Sequence, residues 1–144
     1  MTQEKVTTLQ DLTEAFEELR HVNPLLELEE REINGVTFNV FKNAPKTLRD
    51  LINTIQLLMG DFPFVNDNGN QYQFSEIISK AKSIANYLAE NDLQPGDKVG
   101  ICMQNSIDWI IVFLGIAGSG VTCVPLNSWW TKDELTYGID HSEL

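Results

Sequence analysis

Residues 98–127 read KVGICMQNSIDWIIVFLGIAGSGVTCVPLN, and the punctuation of this stretch decides the fold class. Val99, Ile101 and Met103 open it as a short apolar strand. After Asn105-Ser106 a helix follows that is apolar nearly all round, through Trp109, Ile110, Phe113 and Leu114, and such a helix must be covered on most sides. Gly118-Ser119-Gly120 ends it, Val121 to Val124 form the next strand, and Pro125 blocks that strand's continuation. Strand, helix and strand in this order predict a right-handed βαβ crossover, and therefore an α/β protein.

Working upstream, Ile77, Ile78, Ala81, Ile84, Ala85 and Leu88 place one apolar side on a helix running to about Glu90, with Lys80, Lys82 and Asn86 opposite and Ser75 as its expected cap. Pro95-Gly96-Asp97 lies in the loop that follows. Before the helix, Phe62 to Val65 and Tyr72 to Phe74 flank Asn66-Asp67-Asn68-Gly69-Asn70, which reads as a hairpin. A helix beginning at Thr47 has a broad apolar face in Leu48, Leu51, Ile52, Ile55, Leu58 and Met59, with Gly60 expected in the left-handed position that stops it. Leu9, Leu12, Phe16 and Leu19 form the stripe of a first helix, capped by Thr8 with Asp11 in its first turn. After Asn23-Pro24 comes an acidic stretch without periodicity, and then Val36, Phe38 and Val40 alternate as a half-exposed strand behind Asn34-Gly35. Residues 1–60 are thus expected to be an N-terminal extension to a domain that starts at 61.

Downstream, Thr131 and Glu134 are spaced as a capping box, and Trp130 and Leu135 as a hydrophobic staple, at the start of a last helix. The neighbouring Trp129 is costly to leave exposed, and is expected either to pack or to line a site.

Composition narrows the function classes. The chain has 144 residues, of which 42% are hydrophobic and 22% charged, as in one ordinary folded domain. Its net charge of −11 repels nucleic-acid phosphates and anionic lipid headgroups. The first residues lack the basic start and apolar run of a secretory signal, so a cytoplasmic location is expected. The apolar run from Trp109, extended through Ala117, falls short of the roughly 20 residues that span a bilayer. Cys102 and Cys123 stand outside any C-x-x-C pair and read as reduced core thiols.

Motifs for chemistry are missing. Gly115, Gly118 and Gly120 resemble a phosphate loop only in composition. They follow a helix and lead into a strand, so they present carbonyls where an anion needs amide N–H groups. His21 and His141 are far apart in the chain and read as solvated; Asp133, Glu134 and Asp140 to Glu143 have the simpler roles of helix-start and terminal acids. No serine sits in a G-x-S-x-G elbow and neither cysteine has a base beside it. No catalytic, cofactor-binding or metal-binding residue is nominated on these grounds.

From Phe64 to Leu144 the sequence resembles the start of the large domain of acyl-CoA synthetases in the adenylate-forming (AMP-binding) superfamily. The resemblance is carried by YQFSEIISKAKSIANYLAENDLQPGDKVGICMQNSIDWIIVFLGIAGSGVTCVPLN, by SWWTKDELTYGIDHSEL and, less specifically, by VFKNAPKTLRDLI. The double tryptophan and the VFKNAP segment lean toward fatty-acyl or related carboxylate ligases. The resemblance implies an incomplete first sheet subdomain in residues 61–144, with a helical extension ahead of it. It also implies, for a full-length enzyme, ATP, Mg²⁺ and coenzyme A, a carboxylic (fatty) acid substrate, and ligation through an acyl-adenylate. The family's Ser/Thr/Gly-rich loop with its lysine, its later aspartate and arginine, and its C-terminal lysine have no matching positions here. Asn127, Trp129 and Trp130 are left as candidates for indirect support.

The leading expectation is therefore a truncated ligase that is inactive alone and that meets either the remainder of the synthetase or a second copy of itself. A standalone binding protein derived from a synthetase is the alternative. A generic nucleotide-binding module is disfavoured, because no strand here leads through a glycine loop into a helix.

Overall fold

A computed structural model describes residues 8–144, and the chain divides into two compact units, Met1–Pro45 and Lys46–Leu144.

In the first unit, helix α1 (Leu9–Val22) starts where Thr8 predicts: Asp11 N–H donates to Thr8 Oγ1 at 3.1 Å, and Thr8 N–H donates to Asp11 Oδ2 at 2.9 Å. The stretch after Asn23-Pro24 is not irregular. A single 3-10 turn (Pro24–Leu26) leads into strand β1 (Leu28–Ile33), which pairs antiparallel with β2 (Val36–Phe41). Asn34 and Gly35, with φ of 52° and 80°, make the two-residue turn whose twist suits a hairpin. Lys42 closes the open end. Its N–H donates to Glu27 O at 2.8 Å and its ammonium to Glu27 Oε1 at 2.6 Å. That hydrogen bond from Lys42 holds the Glu27 carboxyl below its usual pKa. No described residue of this unit is buried.

The second unit begins with α2 (Leu48–Met59), whose N-cap Thr47 accepts the Asp50 N–H at 3.1 Å. Gly60 does not turn left-handed as expected. It stays right-handed at φ −53°, and the chain instead turns where Phe62 N–H donates to Met59 O at 3.0 Å. Strands β3 (Pro63–Asp67) and β4 (Asn70–Gln73) form the expected hairpin around Asn68-Gly69. Helix α3 (Phe74–Glu90) follows at once and starts before Ser75. Gln73 is the cap residue, and its N–H donates to Glu76 Oε2 at 2.8 Å.

Strands β5 (Lys98–Ile101) and β6 (Thr122–Pro125) pair in parallel through α4 (Ile107–Ser119), the predicted strand–helix–strand unit. Helix α4 is covered as its composition requires, Asp108 being its one exposed residue. The core joins Leu88, Ile101, Ile116 and Val121, with Ile84, Val99 and Phe113 against them. Each such aliphatic side chain, fully buried, contributes about 1.5–3 kcal/mol. Helices α3 and α4 approach closely at Gly115, where an added Cβ would stand 2.6 Å from Ile84 Cβ and 2.7 Å from Ala81 O.

Helix α5 (Lys132–Ser142) starts with the predicted capping box. Thr131 N–H and hydroxyl both donate to Glu134 Oε2 at 2.8 Å. Trp130 covers Gly138, a turn beyond the expected staple partner, at a place where a Cβ would come within 2.5 Å of its ring. The end of α5 is tied to β5 by Lys98, whose ammonium donates to Ser142 O at 2.6 Å and Glu143 Oε2 at 2.9 Å.

Candidate functional site

A parallel pair of strands places its ligand crevice outside the strands' carboxyl ends, where the loops that follow them diverge. Here those loops run from Cys102 to Ser106 after β5 and from Leu126 to Thr131 after β6. They meet around a cavity of about 500 Å³ lined by Met103, Gln104, Asn105, Trp109, Leu126, Asn127, Ser128 and Trp129. Asn127 shapes the second loop. Its Oδ1 accepts the Trp129 N–H at 2.9 Å and its carbonyl accepts the Trp130 N–H at 3.1 Å, which turns the two indoles apart. Trp129 is 81% exposed at the rim, while Trp130 leans onto α5. The structure thus brings Asn127 and Trp129 to one cavity and takes Trp130 away from it.

This lining can bind but offers no group for proton transfer. Amides and a hydroxyl supply hydrogen bonds and an indole supplies a stacking face, yet no side chain in the lining is ionisable near neutral pH. An adjoining cavity of about 410 Å³ shares Asn105 and Trp109 and adds a single carboxylate, Asp67, which accepts a hydrogen bond from Asn68 at 3.0 Å.

Nor does the glycine cluster at the end of α4 fit a nucleotide's phosphates. Gly120 takes the left-handed turn, φ 93°, that ends α4. The carbonyls that this turn exposes are held by Arg49, whose Nε donates to Gly118 O and Nη2 to Ser119 O, each at 2.7 Å. Carbonyls bound to a guanidinium are the reverse of a phosphate cradle. Among the described residues no three His, Cys, Asp or Glu side chains are grouped to hold a metal ion, and no helix is long and apolar enough to cross a membrane. His141 is exposed, as expected, and stacks at the surface on Tyr137 with ring centres 5.3 Å apart. Both cysteines are free. Cys102 is exposed and not in the core, while partial burial pushes the Cys123 thiol upward in pKa.

Sequence reasoning missed Arg49. A helix-end arginine in the first turn of α2 gives no local signal, because its partners lie 69 and 70 residues away.

Comparison with known proteins agrees with the resemblance in the sequence. The family model for AMP-binding enzymes matches residues 56–144. A medium/long-chain-fatty-acid–CoA/3-oxocholest-4-en-26-oate–CoA ligase of Mycobacterium marinum is 27% identical over 110 residues, covering 76% of this chain and 18% of the ligase. A linear gramicidin synthase of Brevibacillus parabrevis is 30% identical over 89 residues, 62% of this chain and 1% of the synthase. The solved NpsA N-terminal subdomain of Klebsiella oxytoca, in complex with 3-hydroxyanthranilyl-AMSN, superposes with a TM-score of 0.65 at 21% identity over 69% of this chain and 25% of that one. The chain thus spans less than a fifth of the mycobacterial ligase. With most of its second unit matched in sequence, and its fold found among adenylation N-terminal subdomains, the chain belongs to the AMP-binding enzyme family.

Proposed function

We propose that this chain is the N-terminal portion of an ATP-dependent acyl-CoA ligase acting on fatty acids, with residues 61–144 opening the large domain and residues 1–60 extending it. In full length such an enzyme would join a carboxylate to the AMP portion of ATP, with Mg²⁺ and with release of pyrophosphate, and pass the acyl group to the thiol of coenzyme A with release of AMP. The observation that carries the reading is the family match over 56–144, together with a likeness to a fatty-acid–CoA ligase that extends upstream of it to 110 residues. The role of the residues present is that of a scaffold. The parallel pair β5 and β6, crossed by α4, sets out a neutral cavity whose lining holds no side chain ionisable near neutral pH.

Two measurements test this. Incubated with ATP, Mg²⁺, fatty acid and labelled pyrophosphate, the 144-residue chain alone should exchange no label into ATP; exchange would sink the scaffold role. An antibody raised against the chain should detect a polypeptide much larger than 16.3 kDa in source cells, and that species should form acyl-CoA. A cytoplasmic species of 16.3 kDa and nothing larger would instead favour the non-catalytic binding protein.

A further inference from the structure

Two of the chain's asparagines precede glycine, in Asn34-Gly35 and Asn68-Gly69, and each pair is the turn of a hairpin. An asparagine so placed carries the parts of a reaction on itself. The backbone nitrogen of the next residue can attack the side-chain Cγ, and glycine, with no Cβ, leaves that nitrogen open to approach. The two turns are matched in backbone and in exposure. Asn34 and Asn68 have φ of 52° and 50°, Gly35 and Gly69 have φ of 80° and 87°, and all four residues are exposed to water.

What separates the turns is what their atoms are bonded to. In the second turn the nucleophile is occupied, because Gly69 N–H donates to Asn66 Oδ1 at 3.2 Å. The leaving group is occupied as well, since Asn68 Nδ2 donates to Asp67 Oδ1 at 3.0 Å. In the first turn, no hydrogen bond among the described residues engages the Asn34 side chain or Gly35 N–H. The hairpins also differ in anchorage. Strands β3 and β4 are fastened at their base, where Phe64 stacks on Phe74 with ring centres 4.0 Å apart and Phe74 N–H donates to Phe62 O at 3.2 Å. Strands β1 and β2 have no buried residue, so the turn between them relaxes at less cost into the geometry that ring closure needs.

We propose that Asn34 is a self-modification site, at which the chain deamidates through a succinimide while hydrogen bonds hold Asn68 back. The Gly35 nitrogen gives its proton to hydroxide and bonds to Asn34 Cγ. The Cγ–Nδ2 bond then breaks, and Nδ2 leaves as ammonia with a proton from water, which restores the hydroxide. Water adds to one of the two ring carbonyls and breaks its bond to the nitrogen. Hydrolysis at Cγ restores the main chain with aspartate; hydrolysis at the backbone carbonyl leaves isoaspartate, whose main chain runs through Cβ. No atom is oxidised or reduced, and water is the one reactant consumed. Either product adds a carboxylate to a turn that already stands beside Glu32.

The test is incubation of the 144-residue chain in heavy-oxygen water at mildly alkaline pH, followed by tryptic peptide mapping in a mass spectrometer. Peptide 32–42 carries Asn34 and peptide 50–80 carries Asn68, and fragment ions assign the label to a residue. In the folded chain, label should enter residue 34 about fivefold or more faster than residue 68, the factor that one net hydrogen bond represents. In urea, where both turns are lost, the two rates should converge. Asn66→Ala, a change at an exposed position, takes away the acceptor of Gly69 N–H and should speed deamidation of Asn68 about fivefold. Label entering residue 68 as fast as residue 34 in the folded chain, a gap between them that persists in urea, or no acceleration in Asn66→Ala would each overturn the proposal.

Discussion

Arg49 reaches across 69 residues of chain to hold Gly118 O and, one residue on, Ser119 O. Replacing it with alanine leaves the last turn of α4 without its cation. The expected loss is about 1 kcal/mol, kept small because the side chain is partly solvated. Arg49→Lys should recover little of it, since a single ammonium cannot span two carbonyls as the planar fork does. Urea unfolding of the three proteins measures both effects. Gly115 presents the opposite case, a residue whose value is its lack of a side chain. Alanine there gains up to ~1 kcal/mol in helix propensity. Its Cβ, however, would lie 2.7 Å from the carbonyl of Ala81 and 2.6 Å from Ile84 Cβ, and neither can withdraw without moving α3. Overpacking of about 1–3 kcal/mol should win, giving a net loss in the same unfolding assay. The glycine cluster was legible in the sequence as a helix end and not as a phosphate loop, because order along the chain decides that. The arginine that binds it was not, because nothing near Arg49 points to its partners.

Helix starts were the most legible elements, since a cap and its partner sit three residues apart. Ser106 Oγ accepts the Trp109 N–H at 3.2 Å at the start of α4, and Ser106→Ala should cost about 1 kcal/mol, read from the urea midpoint. At α5 the prediction is one of pH. Hydrogen bonds from Thr131, its backbone N–H first and its hydroxyl second, hold the Glu134 carboxyl below 4.5. A carboxyl whose pKa is lowered by folding stabilises the folded state at pH above its unfolded value. That contribution fades as pH falls from about 4.5 through the lowered folded value. The start of α5 should therefore loosen in that window, and Glu134→Gln should remove the dependence. Side-chain carboxyl NMR titration, with amide exchange of the first turn, checks both. Where the cap departed from rule, reading failed: α3 opens on Gln73, an unusual cap residue, and the better-ranked Ser75 drew the prediction to itself. Strand β1 escaped notice because LEEREI has four charged residues in six, and only its pairing with β2 makes it a strand.

At the scale of the whole molecule, the parallel sheet has two strands, both therefore edges, and large apolar side chains remain outside. Trp129 is 81% exposed, Tyr137 66% and Leu57 85%. Unpaired edges and bare aromatic surface invite association. The chain alone is predicted to self-associate, its weight-average mass in sedimentation equilibrium rising above 16.3 kDa with concentration, and a concentration-independent monomer that melts cooperatively would contradict this. The βαβ unit that places the chain in its family was readable because a strand, an apolar helix and a second strand are each local patterns. The seating of α2 on α3 and α4 was not, since it exists only once helices distant in sequence are side by side. The hold of Arg49 on the last turn of α4 also has a practical reach. The family model's match begins at residue 56, inside α2 and after Arg49. Anyone trimming a gene to that border would remove the first two thirds of a helix and release two backbone oxygens into water. The family model and the fold therefore draw different borders on this chain, and the cloning primer belongs ahead of Thr47, where α2 takes its cap.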